Sequence, residues 1–99
     1  MTPTPTEPPV HIPRLSPAQQ FALTLIGEGT YWAHEATGGA RRHPHRPGVT
    51  PVVRRQTLYS LAVLDLVEYD PTRHGLLRLT PTKGVPVLAA LRARKKARS

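Results

Sequence analysis

Residues 50 to 80, TPVVRRQTLYSLAVLDLVEYDPTRHGLLRLT, decide the fold of this chain. Thr50 is a favourable N-cap residue, and Pro51 suits the first helical position, where a missing N–H group costs no hydrogen bond. The apolar residues that follow recur with the period of an α-helix, so the stretch predicts a helix over residues 51–65. The apolar arc of this helix comprises Val53, Leu58, Leu61, Ala62 and Leu64.

The opposite arc of the predicted helix is polar. It carries Arg55, Gln56 and Tyr59, with Ser60 at its edge. Arginine pairs well with guanine O6 and N7, and glutamine with adenine N6 and N7, so Arg55 and Gln56 suit base readout in a DNA major groove. Arg54 projects toward the edge of the apolar arc, where we expect a phosphate contact.

After the helix the pattern becomes extended and predicts a hairpin. Residues 66–69 and 76–79 form the two strands, and residues 70–75 form the turn. Asp70-Pro71 favours a turn, and Gly75 permits an unusual backbone conformation just before the second strand. Arg73 and His74 lie at the tip, where contact with a DNA backbone or minor groove is expected.

Two acids on the first strand of this hairpin act against such a contact. Glu68 and Asp70 would repel DNA unless they pair across the strands with Arg78 or Arg73.

The run TLYSLAVLDLVEYDPTRHGLLRLTPTKG resembles a segment of bacterial winged helix-turn-helix regulators of the MarR-like and PadR-like kind. The likeness covers residues 50–91. It implies an α+β winged-helix domain with three main helices and a two- to three-stranded antiparallel wing sheet. The matching positions are Thr57, Leu58 and Leu61 in the helix, Leu66-Val67 at the strand entry, and Leu79-Thr80-Pro81 with Gly84 at the wing exit.

Asp65 departs from the pattern of that family, which has glycine at this position. Aspartate reaches the left-handed conformation that a helix end needs, at some cost, so we expect the geometry to be kept.

Composition and length set the limits. Ninety-nine residues make one small domain, and the absence of cysteine excludes disulfides, cysteine nucleophiles and thiolate metal sites. The sequence contains neither a membrane-length apolar stretch nor a signal-peptide pattern, so we expect a cytoplasmic, nucleoid-associated protein. The expected layout is a flexible Pro/Thr-rich tail at 1–14, the domain at 15–92 and a basic tail at 93–99.

Charge is the strongest global signal. Fourteen Lys and Arg residues against six acids give a formal net charge of +8. Residues 36–64 and 71–99 contain no acid at all. A field of this sign favours a polyanion, and nucleic acid is the commonest one in a cytoplasm. A solvated basic surface without a partner is the alternative.

The chain before residue 50 supplies a first helix and a strand. Ser16-Pro17 with Gln19 is a helix start with a capping box, and Gly27 and Gly29 are expected to end the helix. A short strand at 30–32 is expected to pair with the wing sheet, with Trp32 as a sheet anchor. The expected apolar face of the helix comprises Ala18, Phe21, Ala22, Leu25 and Ile26.

Residues 33–49 are predicted to be a basic loop, since Gly38-Gly39, Pro44 and Pro47-Gly48 forbid a long helix there. One interpretation is an arm whose Arg41, Arg42 and Arg46 contact phosphate or a minor groove. The other is an insertion that tolerates its charges. His34, Glu35, His43 and His45 lack metal-ligand spacing, so neither a metal nor another cofactor is expected.

The last helix is predicted to begin with a turn near Thr80-Pro81, because Pro86 delays it. By analogy with the family, its Val87, Leu88 and Leu91 would serve a homodimer interface. The cationic end stabilises the helix dipole or contacts phosphate.

These patterns predict a non-enzymatic protein that binds double-stranded DNA, as a small transcriptional regulator or a plasmid, phage or chromosome-maintenance factor. A nucleophile–base–acid set and a phosphate-binding Gly-rich loop are both missing. The alternative is a protein-interaction module on the same fold that binds an acidic partner, such as a polymerase or replication factor. Structured RNA is a weaker third possibility.

Overall fold

The computed structural model of the protein describes residues 12–97, with side chains through Lys96. The elements are α1 (Pro17–Gly27), β1 (Tyr31–Ala33), β2 (Ala40–Arg42), β3 (Val52–Val53), α2 (Arg55–Val63), β4 (Val67–Tyr69), β5 (Leu77–Leu79) and α3 (Gly84–Ala97). The strands form two antiparallel sheets, one in the order β1-β2-β3 and one of β4 and β5. The predicted α+β class with three helices is thereby confirmed for the described residues. Most of the predicted N-terminal tail, residues 1–11, lies outside them.

Helix α1 begins with the predicted capping box. The Ser16 hydroxyl accepts a hydrogen bond from the Gln19 backbone N–H at 3.2 Å, and the Gln19 side chain accepts one from the Ser16 N–H at 2.8 Å. Two donors that a helix start leaves unsatisfied are thereby paired. The helix ends at Gly27, and Gly29 follows with a φ of 80°.

The buried face of α1 is rotated relative to the prediction. Ala22, Leu25 and Ile26 are buried as expected, but Ala18 is exposed and Phe21 is 56% exposed. Leu23 is fully buried instead. Helix α1 packs against α2 as well as against β5 and α3, and Leu23 belongs to its buried side.

The three-stranded sheet is the main departure from the predicted fold. Residues 40–42, expected within a basic loop, form the central strand β2 between β1 and β3. Ala40 is 1% exposed and faces the core, which explains how a short polar segment is retained in a sheet. The predicted pairing of the first strand with the wing is limited to a bridge between Trp32 and Leu76 and a bond from the Ala33 N–H to the Gly75 carbonyl at 2.8 Å.

Tyr31 ties this sheet to the segment before α2. Its ring is fully buried, and its hydroxyl donates to the Pro51 carbonyl at 2.9 Å. Burial raises the pKa of Tyr31 and nearby Glu28 adds to the rise, while Arg42 opposes it. The phenol therefore stays a neutral donor at physiological pH.

Helix α2 begins at Arg55, so the predicted start at Pro51 is wrong. Val52 and Val53 pair with β2 instead, because Val53 enters the core as a strand residue. The Thr50 hydroxyl, expected to cap the helix, accepts from the Arg46 N–H at 3.1 Å. Arg54 is the N-cap residue and makes no side-chain capping bond.

The far end of α2 and its packing agree better with the prediction. Asp65 adopts the expected left-handed conformation, with a φ of 60°. Leu61 is fully buried, while Leu58 and Leu64 pack partly buried against the core. Ala62, also predicted to be buried, is exposed.

The hairpin of β4 and β5 forms as predicted, with Glu68 directly opposite Arg78. Thr80 follows it and joins three elements. Its hydroxyl donates to the Asp65 carbonyl at 2.7 Å and accepts from the Gly84 N–H at 2.7 Å, while its backbone N–H donates to the Leu66 carbonyl. One residue thus links the end of α2, the exit of the hairpin and the start of α3.

Helix α3 begins after the predicted turn and continues to Ala97, beyond the predicted start of the basic tail. Pro86 is tolerated because it lies in the first turn, where its missing N–H has no helical acceptor. Val87 and Leu88 are buried in the core, so these two residues do not form the suggested dimer surface. Leu91 is partly buried against the same core.

Among the described residues, every helix is too short or too polar to cross a membrane.

Candidate nucleic-acid interface

The first turns of α2 present a basic and polar surface. Arg54, Arg55 and Gln56 are exposed, and Tyr59 is 71% exposed one turn further on. The structure therefore brings together most of the side chains that the sequence assigned to the outward arc.

The turn that contains Gly38 and Gly39 packs closely against the side chain of Arg55. A Cβ atom at Gly38 would lie 2.9 Å from the Cδ atom of Arg55, and one at Gly39 would collide with the Val53 carbonyl. Only glycine therefore allows the turn between β1 and β2 to pass this closely under the Arg55 side chain. The aliphatic part of the Arg55 side chain therefore lies close to Gly38 of this turn.

Ser60 is separated from this surface. Its hydroxyl accepts from the Gln19 side chain at 2.9 Å and donates to the Thr57 carbonyl at 2.8 Å. The first bond joins α2 to α1 and the second lies within α2, so the hydroxyl is occupied within the domain.

The second half of the outward face of α2 is apolar. Tyr59, Ala62 and Val63 are all exposed, Val63 at 67%. Sequence reasoning assigned Ala62 to the core and left Val63 unassigned. The available signal was their spacing from Tyr59, since residues three and four positions apart share one side of a helix.

At the hairpin, Glu68 pairs with an arginine across the strands and Asp70 does not. Arg78 donates to Glu68 through Nη2 at 3.0 Å and through Nε at 3.2 Å. Asp70 instead accepts from the Thr72 hydroxyl and from the Thr72 N–H at 2.8 Å, and these bonds lower the pKa of Asp70. Arg73 and His74 are exposed at the tip as predicted.

The three arginines of the predicted loop occupy different environments. Arg41 and Arg42 lie on β2, and Arg46 lies in the connection to β3. The Arg46 carbonyl accepts from the Val49 and Thr50 N–H groups, so this connection is held by its own backbone bonds. Arg42 and Arg46 are exposed and Arg41 is partly buried.

Trp32 lies at the boundary of two open depressions. The first has a volume of about 500 Å³ and the second about 780 Å³, and Trp32 and Ala33 line both. The second contains Glu35 and Asp70 in its wall. The remaining residues of the first are His34, Arg41, Arg42, His43 and His45.

The histidines at the first depression do not form a metal site. Within residues 12–97, no group of three or more His, Cys, Asp or Glu side chains is arranged to hold a metal ion. The Nδ1 atom of His45 is buried there without a hydrogen-bond partner.

Comparison of the chain with protein-family models, with curated proteins and with solved structures gave no match.

Proposed function

We propose that the protein binds double-stranded DNA, with the first turns of α2 in the major groove. The observation that carries this proposal is the set of exposed Arg54, Arg55 and Gln56 side chains at the start of a helix that contains no acid. Arginine and glutamine are the residue types that read guanine and adenine edges bidentately. The role would be that of a small bacterial transcriptional regulator or of a plasmid, phage or chromosome-maintenance factor.

The arrangement supports a winged-helix variant. A helix followed directly by a two-stranded hairpin with a basic tip is the order of a recognition helix and its wing, and α1 packs against that helix. In the described residues the place of the helix that usually precedes a recognition helix is taken by β2 and β3. The three-stranded sheet would then support the start of α2, through the glycine turn beneath Arg55.

Electrostatics favour phosphate contacts around this helix. The start of α2 has no side-chain cap and no acid in its first turn, so its partial positive charge is not neutralised within the domain. We assign Arg54, Arg46, Arg73 and His74 to the DNA backbone. Glu68 repels the DNA backbone only weakly, because its charge is paired with that of Arg78.

Fluorescence anisotropy with a labelled mixed-sequence duplex, at two salt concentrations, tests the proposal. Wild-type binding should weaken steeply with salt, because each neutralised phosphate releases counterions. Arg55→Ala should weaken binding about tenfold, because it removes a positive charge as well as a base contact. Gln56→Ala should reduce discrimination between defined duplexes more than affinity for the mixed one, because its side chain is uncharged.

Arg92→Ala is the matched control for Arg55→Ala, since it removes the same charge from an exposed position on α3. It should change the affinity by no more than about twofold. Equal losses for Arg55→Ala and Arg92→Ala, or no duplex binding at low salt, would contradict the proposal.

A second candidate function is supported by the apolar half of the α2 face. Tyr59, Ala62 and Val63 would suit a protein partner better than DNA, and the surrounding arginines favour an acidic one such as a polymerase subunit or replication factor. Charge reversal of Arg55 together with Gln56→Ala would separate the two candidate functions. If this variant no longer binds the duplex but still binds the acidic protein, DNA is a distinct ligand.

A further inference from the structure

The outer side of the three-stranded sheet combines an indole with cationic side chains. Trp32 pairs with Arg41 across β1 and β2, and Arg41 pairs with Val52 across β2 and β3. Directly paired residues of antiparallel strands project from the same side of the sheet, close enough for their side chains to meet. The indole and the Arg41 guanidinium therefore belong to one surface.

The position of Trp32 is fixed from two directions. On one side β1 pairs with β2, and on the other the Trp32–Leu76 bridge and the Ala33-to-Gly75 hydrogen bond join β1 to the hairpin. Trp32 is nevertheless only partly buried, and it lines both depressions. Because the backbone of Trp32 is held on both sides, little backbone entropy is lost when a ligand stacks on its indole.

The charge of the lining distinguishes the two depressions. The first, of about 500 Å³, has two arginines and three histidines in its wall and no carboxylate. The second has Glu35 and Asp70, and the bonds from Thr72 keep Asp70 ionised. An anionic ligand that stacks on Trp32 is therefore directed to the first depression.

We propose that this depression binds a single nucleotide unit, with the base stacked on Trp32 and the phosphate held by Arg41, the arginine on the same side of the sheet. Stacking on an aromatic ring beside a cationic groove is the general chemistry by which proteins hold unpaired nucleotides. The unit comes either from an unpaired stretch of a nucleic-acid strand or from a free mononucleotide. This site is separate from the α2 surface proposed to bind duplex DNA, because Trp32 lies on neither α2 nor the hairpin tip.

The protein carries its own reporter for this test, since Trp32 is the only tryptophan. Titration with a thymidine oligonucleotide of about 15 residues should quench the Trp32 fluorescence to saturation, as stacking places a base on the indole. Inorganic phosphate should not quench it. Binding of the labelled oligonucleotide without any quenching would overturn the proposal, because the strand would then be held by charge alone.

A mononucleotide distinguishes the two sources. Quenching by thymidine monophosphate at concentrations similar to those of the oligonucleotide supports a free nucleotide as the ligand. Quenching by the oligonucleotide at concentrations at least about tenfold lower supports a strand, because further phosphates add contacts. If neither the oligonucleotide nor thymidine monophosphate quenches the Trp32 fluorescence, the proposed site is wrong.

Variants tested by anisotropy separate this site from the duplex surface. Trp32→Ala should weaken binding of the single strand about tenfold, and Trp32→Phe should restore most of the affinity because it keeps an aromatic face. Duplex affinity of Trp32→Phe should stay within about twofold of wild type. Equal single-strand affinity of wild type, Trp32→Ala and Trp32→Phe would contradict stacking.

Circular dichroism identifies a Trp32→Ala variant that fails to fold, in which case the quenching titrations of the wild-type protein decide. Single-strand binding without duplex binding would reject the proposed function and leave this site intact. Duplex binding without quenching by the oligonucleotide or the mononucleotide would reject this site alone.

Discussion

Asp65 and Thr80 show how single residues fix the joint between α2 and the hairpin. Asp65 is the only non-glycine residue among residues 12–97 with a positive φ. Its carbonyl accepts a hydrogen bond from the buried Thr80 hydroxyl, so the strained backbone is held in place by a residue from the other end of the hairpin. The left-handed conformation turns the chain from helix into strand.

Asp65→Gly should stabilise the domain. Glycine adopts this conformation without the steric cost of a Cβ atom, and part of that gain is offset by its greater freedom in the unfolded chain. We expect a net increase of about 0.5–1 kcal/mol in the free energy of unfolding, measured by urea denaturation. Ala62→Gly, at an exposed position inside α2, is the control and should lose about 1 kcal/mol. A loss of stability in Asp65→Gly would contradict this account.

Thr80→Val should destabilise the domain by about 2 kcal/mol, because it leaves the Asp65 carbonyl and the Gly84 N–H without their partner. Valine has nearly the same shape, so packing is largely retained. Thr80→Ser keeps the hydroxyl and should recover most of the loss. Thr82→Val, at an exposed position, should stay within about 0.5 kcal/mol of wild type. A Thr80→Val variant as stable as wild type would show that these two bonds contribute little.

At the scale of elements, α2 combines a weak start with an exposed basic surface. Its N-cap is Arg54 rather than a serine, threonine, aspartate or asparagine, and its first turn has no acid. A helix selected for stability alone would have a capping side chain at this position. Arg54 is explained if its guanidinium is used for an anion.

Arg54→Ser should therefore raise stability and lower affinity together. A serine at the N-cap should increase the free energy of unfolding by about 1 kcal/mol. Loss of a phosphate contact should weaken duplex binding several-fold and reduce the slope of log K against log salt by about 1. Denaturation and anisotropy measure the two effects. If Arg54→Ser bound the duplex as tightly as wild type, Arg54 would not be a DNA contact.

Sequence reasoning succeeded where local signals are sufficient. The capping box of α1, the hairpin itself and the left-handed Asp65 all depend on residues within a few positions or on one turn. Sequence reasoning failed for β2 and β3. Thr50-Pro51 resembles a helix start, and two adjacent valines at 52 and 53 fit the periodicity of a helix as well as that of a strand. Their strand conformation is decided by pairing with residues about ten positions away, and local propensity does not encode such contacts.

At the scale of the whole molecule, the basic residues are spread over several surfaces. The formal charge of +8 covers the start of α2, the hairpin tip, the β2 arginines and the exposed end of α3. Net charge alone would attract polyanions to several places, and under the proposed function Arg55 and Gln56 would add base contacts on α2. The exposure of these α2 residues could be predicted from the sequence, while the depression beside Trp32 depends on how β1 and β2 pair.

In the proposed function, duplex DNA is bound by the start of α2 and the hairpin tip. Chemical-shift mapping of the ¹⁵N-labelled protein with a short duplex tests this binding surface. We expect the largest shifts on the amides of residues 54–59 and 73–74, and we expect them to shrink as salt is raised. Shifts confined to the cationic end of α3, or none at low salt, would contradict it.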